Sequence, residues 1–349
     1  MALEISWFSA LCDDDYEQLG VVSPQLRSSW DHCSEIVATA EEQGFDSILL
    51  PSGYALGLDT VAMAAALART TSRIRLLVAV RTGENWPPQL ARQIATLQHL
   101  ADNRIDINII SSDLAGETMA SSPRYGRTLE VMKILDDLLQ GDAVNAKGEH
   151  YNVATDAPRI ATGPRPPFYF GGLSDDARDV AAQMADVYLM WPDTYDNVRA
   201  IVEDMTARAA TYGRTMRFGY RVHVVVRETE EQARAAAAHL VAELDDEIGR
   251  AIRQQSLDAG SVGVARQSEL REAADLEGFV EPNLWTGIGR ARSGCGAAIV
   301  GSPDQVVAKL EAYQALGIEA FILSGYPHID ECRRFGDLVM PRLTHGPLT

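Results

Sequence analysis

What most constrains this chain is an alternation repeated along its length, a short unbroken apolar run followed by an amphipathic helical stretch. Apolar runs of this kind suit strands buried on both faces, and a helix after each strand makes the sheet parallel. The runs fall at Ile5–Ala10, Ser47–Pro51, Arg75–Val80, Ile105–Ile110, Phe168–Phe170, Val187–Trp191, Arg217–Val226 and Ala320–Gly325. Between them, helical periodicity covers Trp30–Gln43, Thr60–Ala68, Pro88–Ala101, Arg124–Leu139, Asp175–Met184 and Tyr195–Tyr212. Ser302 and Pro303 introduce a further helix, Pro303–Leu316, as N-cap and first helical residue. Eight strands with intervening helices predict an α/β protein of the (β/α)8 TIM-barrel class. No GxGxxG follows the first strand, which argues against an open dinucleotide-binding sheet.

One irregularity breaks the alternation. Between the seventh and eighth strands lies a long insertion, roughly residues 228–296, beginning with the alanine-rich EEQARAAAAHLVAEL. Excursions of this length cover a functional mouth or build an oligomer interface, and a lid and an oligomerisation element are both open here. At 349 residues the chain is expected to form a single domain, 1–349, carrying that insertion.

Composition removes several partners. With 31 Lys+Arg against 49 Asp+Glu, the net charge of −18 disfavours nucleic acid and anionic lipid. Cys12, Cys33, Cys295 and Cys332 show no paired spacing, so neither a zinc site nor a disulfide framework is expected, and no metal is assigned. No basic n-region opens the chain and no apolar run reaches membrane-spanning length, so a cytoplasmic protein is expected.

Active sites of such barrels sit at the C-terminal ends of the strands, so polar residues there are the candidates. In FGYRVHVVV, Arg221 and His223 share one side of the seventh strand. Burying both needs a compensating anion or hydrogen-bond partner, and an internal carboxylate would serve equally. After the eighth strand, Gly325-Tyr326-Pro327-His328 presents a phenol and an imidazole, while Arg292 lies in the glycine-rich GIGRARSG. In PFYFGGLSD, Gly171 and Gly172 precede a helix start at which Ser174 either caps the helix or joins the free amides in holding a phosphate.

Nine strings stand in order along nearly the whole chain: WF, ILLPSG, LLVAVR, ARQIATL, PPFYFGG, VYLMW, FGYRVHVVVRET, NLWTGIGRARSG and FILSGYPH. Together they resemble the bacterial luciferase-like flavin-dependent monooxygenases, and within them the alkanesulfonate monooxygenases. The resemblance implies the oxygenase half of a two-component system that uses reduced FMN and O2, with a separate NAD(P)H:FMN reductase. It implies that an organosulfonate is converted to an aldehyde plus sulfite. By it, Arg221, His223, Arg292, Tyr326 and His328 are the catalytic set, and Ser111, Tyr125, Gly172, Leu173 and Ser174 bind FMN. Leu56 and Trp191 are the candidates for the substrate wall, the ligand is a small anion, and a homodimer or homotetramer is expected.

The chain departs from that family in three places. Ala10-Leu11-Cys12-Asp13 stands where the alkanesulfonate members carry a histidine, Leu56 where they carry a cysteine, and Ser121 where they carry another histidine. The substrate wall beside the first two strands is therefore altered. Alternative expectations are a luciferase-like monooxygenase acting on a sulfone, a sulfosugar or a biosynthetic intermediate, a deazaflavin-dependent reductase, and a non-catalytic flavin-binding barrel.

Overall fold

The strands close into a ring because none can leave an edge unpaired while its helices cover the outside. The structure, a computed structural model, describes residues 2–53, 57–160, 163–254, 261–292 and 294–348. In chain order its elements are β1 (Glu4–Phe8), α1 (Trp30–Glu42), β2 (Ser47–Leu50), α2 (Thr60–Leu67), β3 (Arg75–Arg81), α3 (Pro87–Leu100), β4 (Ile105–Ile110) and α4 (Ser121–Gln140). There follow β5 (Val144–Lys147), β6 (Asn152–Thr155), β7 (Phe168–Phe170), α5 (Asp175–Met184), β8 (Val187–Met190), α6 (Tyr195–Thr211) and β9 (Arg217–Val226). The last part contains α7 (Glu230–Leu240), α8 (Asp246–Gln254), α9 (Val262–Glu272), β10 (Phe279–Glu281), β11 (Leu284–Trp285), β12 (Ala298–Gly301), α10 (Pro303–Ala315), β13 (Ile318–Ser324) and α11 (His328–Leu338).

The barrel runs β1-β2-β3-β4-β7-β8-β9-β13 and returns to β1, every pairing parallel. Along β1 the period of two is plain. Glu4, Ser6 and Phe8 share one face, and Ile5 and Trp7 on the other join the large cluster packed beneath the helices. Phe8 meets Leu49, Leu77, Tyr169 and Ile322 inside the barrel.

The long strand β9 has three neighbours. One edge pairs with β13 from Phe218 to His223. The other pairs with β8 from Arg217 to Tyr220 and, once β8 has ended, with β12 from His223 to Val226. The insertion is thereby sewn into the sheet, with β11 antiparallel to β12 and β10 antiparallel to β11. It is also clamped to the end of β8. Arg266 grips the Asp193 carboxylate with two bonds of 2.8 Å, and Gln267 donates to the Pro192 carbonyl at 2.8 Å.

The hairpin β5-β6, the extension β10-β12 and helix α11 were not among the expected elements, and α4 begins at Ser121 rather than Arg124. The missed strands have two to four residues, too few to display a period.

At the floor of the barrel the buried Glu4 accepts from the Tyr169 hydroxyl at 2.8 Å and from the Leu348 amide at 3.0 Å. Nearby, Asp106 is held by both Nε and Nη2 of Arg75 at 2.8 and 2.7 Å. Burial, reinforced by the Asp106 charge, pushes the Glu4 carboxyl up to about 7. An acid whose pKa is raised on folding binds its proton more tightly in the native state. Its contribution to stability is complete below the unfolded value near 4.5 and is lost as pH rises through about 7. Denaturant titrations of wild type and Glu4→Gln across that interval should diverge accordingly, with the variant less dependent on pH; parallel curves would refute this.

Candidate active site

At the mouth, β9 and β13 place three polar side chains together. Ser324 pairs in register with His223, and Ile322 with Arg221. Arg221 Nη2 donates to Ser324 Oγ at 2.8 Å, and the same oxygen lies 2.7 Å from His223 Nδ1. A guanidinium only donates, and among the described residues Nδ1 is the one acceptor seen for the serine proton; donating it there leaves the imidazole hydrogen on Nε2. Burial, with the Arg221 charge behind it, holds His223 well below the usual histidine pKa, in its neutral form. Nε2 is buried and has no partner among the described residues.

Arg221 Nη1 turns to the Val222 and Ile322 carbonyls at 3.1 and 3.4 Å, and the guanidinium lies 4.4 Å from the centre of the Phe8 ring. Among the described residues no carboxylate pairs with Arg221. The internal ion pair that would have explained it as a structural residue is not there.

A second group closes over the first. Arg292 Nη1 bonds to Asp14 Oδ2 at 2.8 Å and to the Tyr326 hydroxyl at 2.5 Å. The Tyr326 ring stacks on His223 with centroids 5.2 Å apart, and His328 meets it edge-on at 5.4 Å. Burial raises the Tyr326 phenol, which stays protonated, and depresses His328, which stays neutral. The first residue of α11, His328 is fully buried, and its amide donates to Asp15 Oδ1 at 3.0 Å. Neither of its ring nitrogens has a hydrogen-bond partner among the described residues. Asp15 is held in turn by His32 Nε2 at 2.9 Å.

The third group lies where α4 and α5 begin. Their first turns are tied by Ser121 Oγ to Asp176 at 2.5 Å, so two positive helix ends converge. Gly171 is required because a Cβ there would stand 1.9 Å from the Leu189 carbonyl, and Gly172 has a φ of +151°. The Tyr188 hydroxyl fixes the turn through the Gly172 carbonyl at 2.5 Å. The Tyr125 hydroxyl lies 3.4 Å from the position a Gly172 Cβ would take, and no hydrogen bond to it is seen among the described residues. Arg124 Nε is also buried without a partner. Ser174 caps α5 by accepting from the Ala177 amide at 3.3 Å and keeps its own proton to donate. The acidic Asp175 of this turn is drawn away by Arg208 at 2.9 Å. Two helix ends, a phenol and a guanidinium whose Nη1 stands 3.8 Å from Asp113 but whose Nε is unengaged among the described residues fit a phosphate.

Of the residues expected from the sequence, Arg221, His223, Arg292, Tyr326 and His328 thus form one contiguous cluster, and Tyr125, Gly172, Leu173 and Ser174 form another. Ser111 follows β4 with its Oγ 2.8 Å from Thr128 Oγ1. Trp191 follows β8 directly, and its ring is approached closely by Gly263 and Gly294 of the insertion. Leu56 lies outside the described residues. Arg292, carried by the glycine-rich GIGRARSG, is engaged by Asp14. The sequence reading missed Ser324 and Asp14. Strand register alone would have placed Ser324 against His223, whereas no local pattern joins Asp14 to an arginine so far along the chain. An open cavity of about 280 Å³ runs past Ser52, Ala79 and Arg81 at the ends of β2 and β3.

Buried arginines and histidines gathered at the C-terminal mouth of a closed parallel barrel mark the class of (β/α)8 barrel enzymes. The luciferase-like monooxygenase family matches residues 6–320, and the chain belongs to that family. It is 64% identical over 354 residues to a sulfoquinovose monooxygenase of Novosphingobium aromaticivorans, spanning 99% of this chain and 98% of the relative. It is 52% identical over 346 residues to a sulfoquinovose monooxygenase of Agrobacterium fabrum, spanning 98% and 90%. Among solved structures, a riboflavin lyase with modified FMN and riboflavin shares the fold at a TM-score of 0.80 and 18% identity, over 98% of this chain and 91% of that one.

Replacing Ser324 by Ala removes the bond that fixes both Arg221 and His223. Turnover should fall about tenfold with the fold retained, because one hydrogen bond to a charged group is worth roughly 1.5 kcal/mol or more. Unchanged turnover by a correctly folded Ser324→Ala protein would show that the shared serine does not position them.

Proposed function

We propose that this protein is the oxygenase of a two-component system that uses reduced FMN and O2 to release sulfite from a sulfonated sugar of the sulfoquinovose type. The observation that carries this reading is Arg221, a buried permanent cation with no carboxylate, flanked by the unpartnered Nε2–H of a neutral histidine. A sulfonate brings the negative charge and the acceptor oxygens this geometry lacks. The two curated relatives, both sulfoquinovose monooxygenases, favour a sulfosugar over a plain alkanesulfonate.

Tyr125, Arg124, Ser174 and the first-turn amides of α5 would hold the FMN phosphate. Once bound, reduced FMN supplies the electrons with which O2 oxygenates the carbon bearing the sulfonate. The chain's own residues bind and orient the substrate. Arg221 and His223 Nε2–H fix the sulfonate, the protonated Tyr326 donates beside them, and Arg292 completes the ring of donors. His328 is neutral and buried with both ring nitrogens free, so one bare nitrogen is placed to take the hydroxyl proton as the C–S bond breaks and the aldehyde forms. The insertion over Trp191, clamped by Arg266 to Asp193, serves as the cover that keeps water out. The reductant comes from a separate NAD(P)H:FMN reductase, and the working enzyme is a homo-oligomer.

Supplied with FMN, NADH, O2 and a flavin reductase, the protein should release sulfite from sulfoquinovose, and without the reductase it should oxidise no NADH. Arg221→Ala should lower kcat/KM by about 10- to 150-fold, the scale of a charge-assisted hydrogen bond, and Arg221→Lys should restore it only in part. Full activity in Arg221→Ala would refute the sulfonate site. Tyr125→Phe should weaken flavin binding by about 1 kcal/mol in a fluorescence titration, and unchanged affinity would move the phosphate elsewhere.

A further inference from the structure

The mouth contains a carboxylate oxygen that an anion cannot satisfy. Asp14 Oδ2 is bonded to Arg292 at 2.8 Å, but Asp14 Oδ1 is buried with no hydrogen-bond partner among the described residues. Asp14 and the Tyr326 hydroxyl share the Arg292 Nη1 donor, at 2.8 and 2.5 Å, so this carboxylate stands beside the cluster. On the rings that pack against Tyr326, His223 Nε2 and both nitrogens of His328 are also buried and unpartnered among the described residues, in residues exposed by 1% or less. A buried polar atom left alone is costly, and so many together mark a space made for a ligand rather than for packing.

The chemistry of the unpartnered atoms is mixed. A sulfonate accepts hydrogen bonds and never donates, so it can satisfy His223 Nε2–H but is repelled by a carboxylate oxygen. An alkyl chain offers Oδ1 nothing. A hydroxyl offers it a donor, and by bonding to Oδ1 it compensates a charge that Arg292 covers on one side only.

We infer that Asp14 is the acceptor for a hydroxyl of the substrate, and so makes the site selective for hydroxylated sulfonates over alkyl sulfonates. The inference rests on the sulfosugar reading above and names the residue that enforces it. In this arrangement the guanidiniums read the sulfonate end and Asp14 reads the sugar, and an alkyl sulfonate entering the pocket leaves the carboxylate unpaired.

The test is calorimetric titration of the full chain, with FMN present, using sulfoquinovose and hexane-1-sulfonate, which share six carbons and one sulfonate. Wild type should prefer the sugar, and in Asp14→Ala that preference should shrink by about 10- to 150-fold. Among monodeoxy sulfoquinovoses, one should lose a similar factor on wild type and show no further loss on the variant. If Asp14→Ala weakens both ligands alike, Asp14 serves only to hold Arg292 and the inference falls. Should that variant fail to fold, the wild-type deoxy series decides, since equal binding of every deoxy sugar overturns the inference by itself. Sulfite release from the sugar alongside indifference to Asp14 would remove this inference and leave the proposed function standing. Binding of neither ligand would remove both.

Discussion

Everything at the mouth depends on one strand, β9, keeping its register with three partners. Its first half closes the barrel against β8, its second half carries the insertion through β12, and its other edge holds β13 from Phe218 to His223. Since His223 begins the stretch paired with β12 and Arg221 lies two residues before it, the pairing that anchors the insertion also fixes His223, while the pairing with β13 fixes both side chains. A slip of one residue would send Arg221 and His223 to the opposite face and part them from Ser324, so cover and site are specified by the same ladder.

The global charge and the local site point in opposite directions. At −18 the protein repels anions at long range, but that field is screened within about 10 Å at ordinary ionic strength. Inside the mouth, directed donors decide. Neutral histidines are better suited than imidazoliums beside two arginines, since a third and fourth positive charge would have to be desolvated with no anion present. Burial depresses both His223 and His328, so their donors and acceptors persist at neutral pH before an anion arrives.

Much of this was legible in the sequence, and the physics explains which parts. Barrel strands declare themselves because both faces are buried, which is why β4, β7 and β9 fall within the expected bounds. Arg221 and His223 stood out because a charged and a titratable residue interrupt an otherwise apolar strand. Short pairings such as β10-β11 and the hairpin β5-β6 carry no period to read, and α11 follows too closely on a residue already assigned to the site. Ser324 is small and sits at the end of an apolar run, where nothing in its neighbourhood separates a shared hydrogen-bond partner from an ordinary strand-end serine. Asp14 lies in a run of three aspartates whose members do three different things: Asp13 meets Ser28 and Arg27, Asp14 meets Arg292, and Asp15 supports His328. Only tertiary structure tells them apart.

Those three aspartates also explain why the mouth can be both charged and ordered. Arg221 and Arg292 repel one another. Asp14 offsets that repulsion at Arg292, while Arg221 has no carboxylate bonded to it among the described residues. Because the Arg292 bond to Asp14 joins the insertion to the loop after β1, the same contact neutralises one guanidinium and ties the cover across the opening. Binding of an anion at Arg221 then needs no rupture of that tie, and the site can be filled while the cover stays in place.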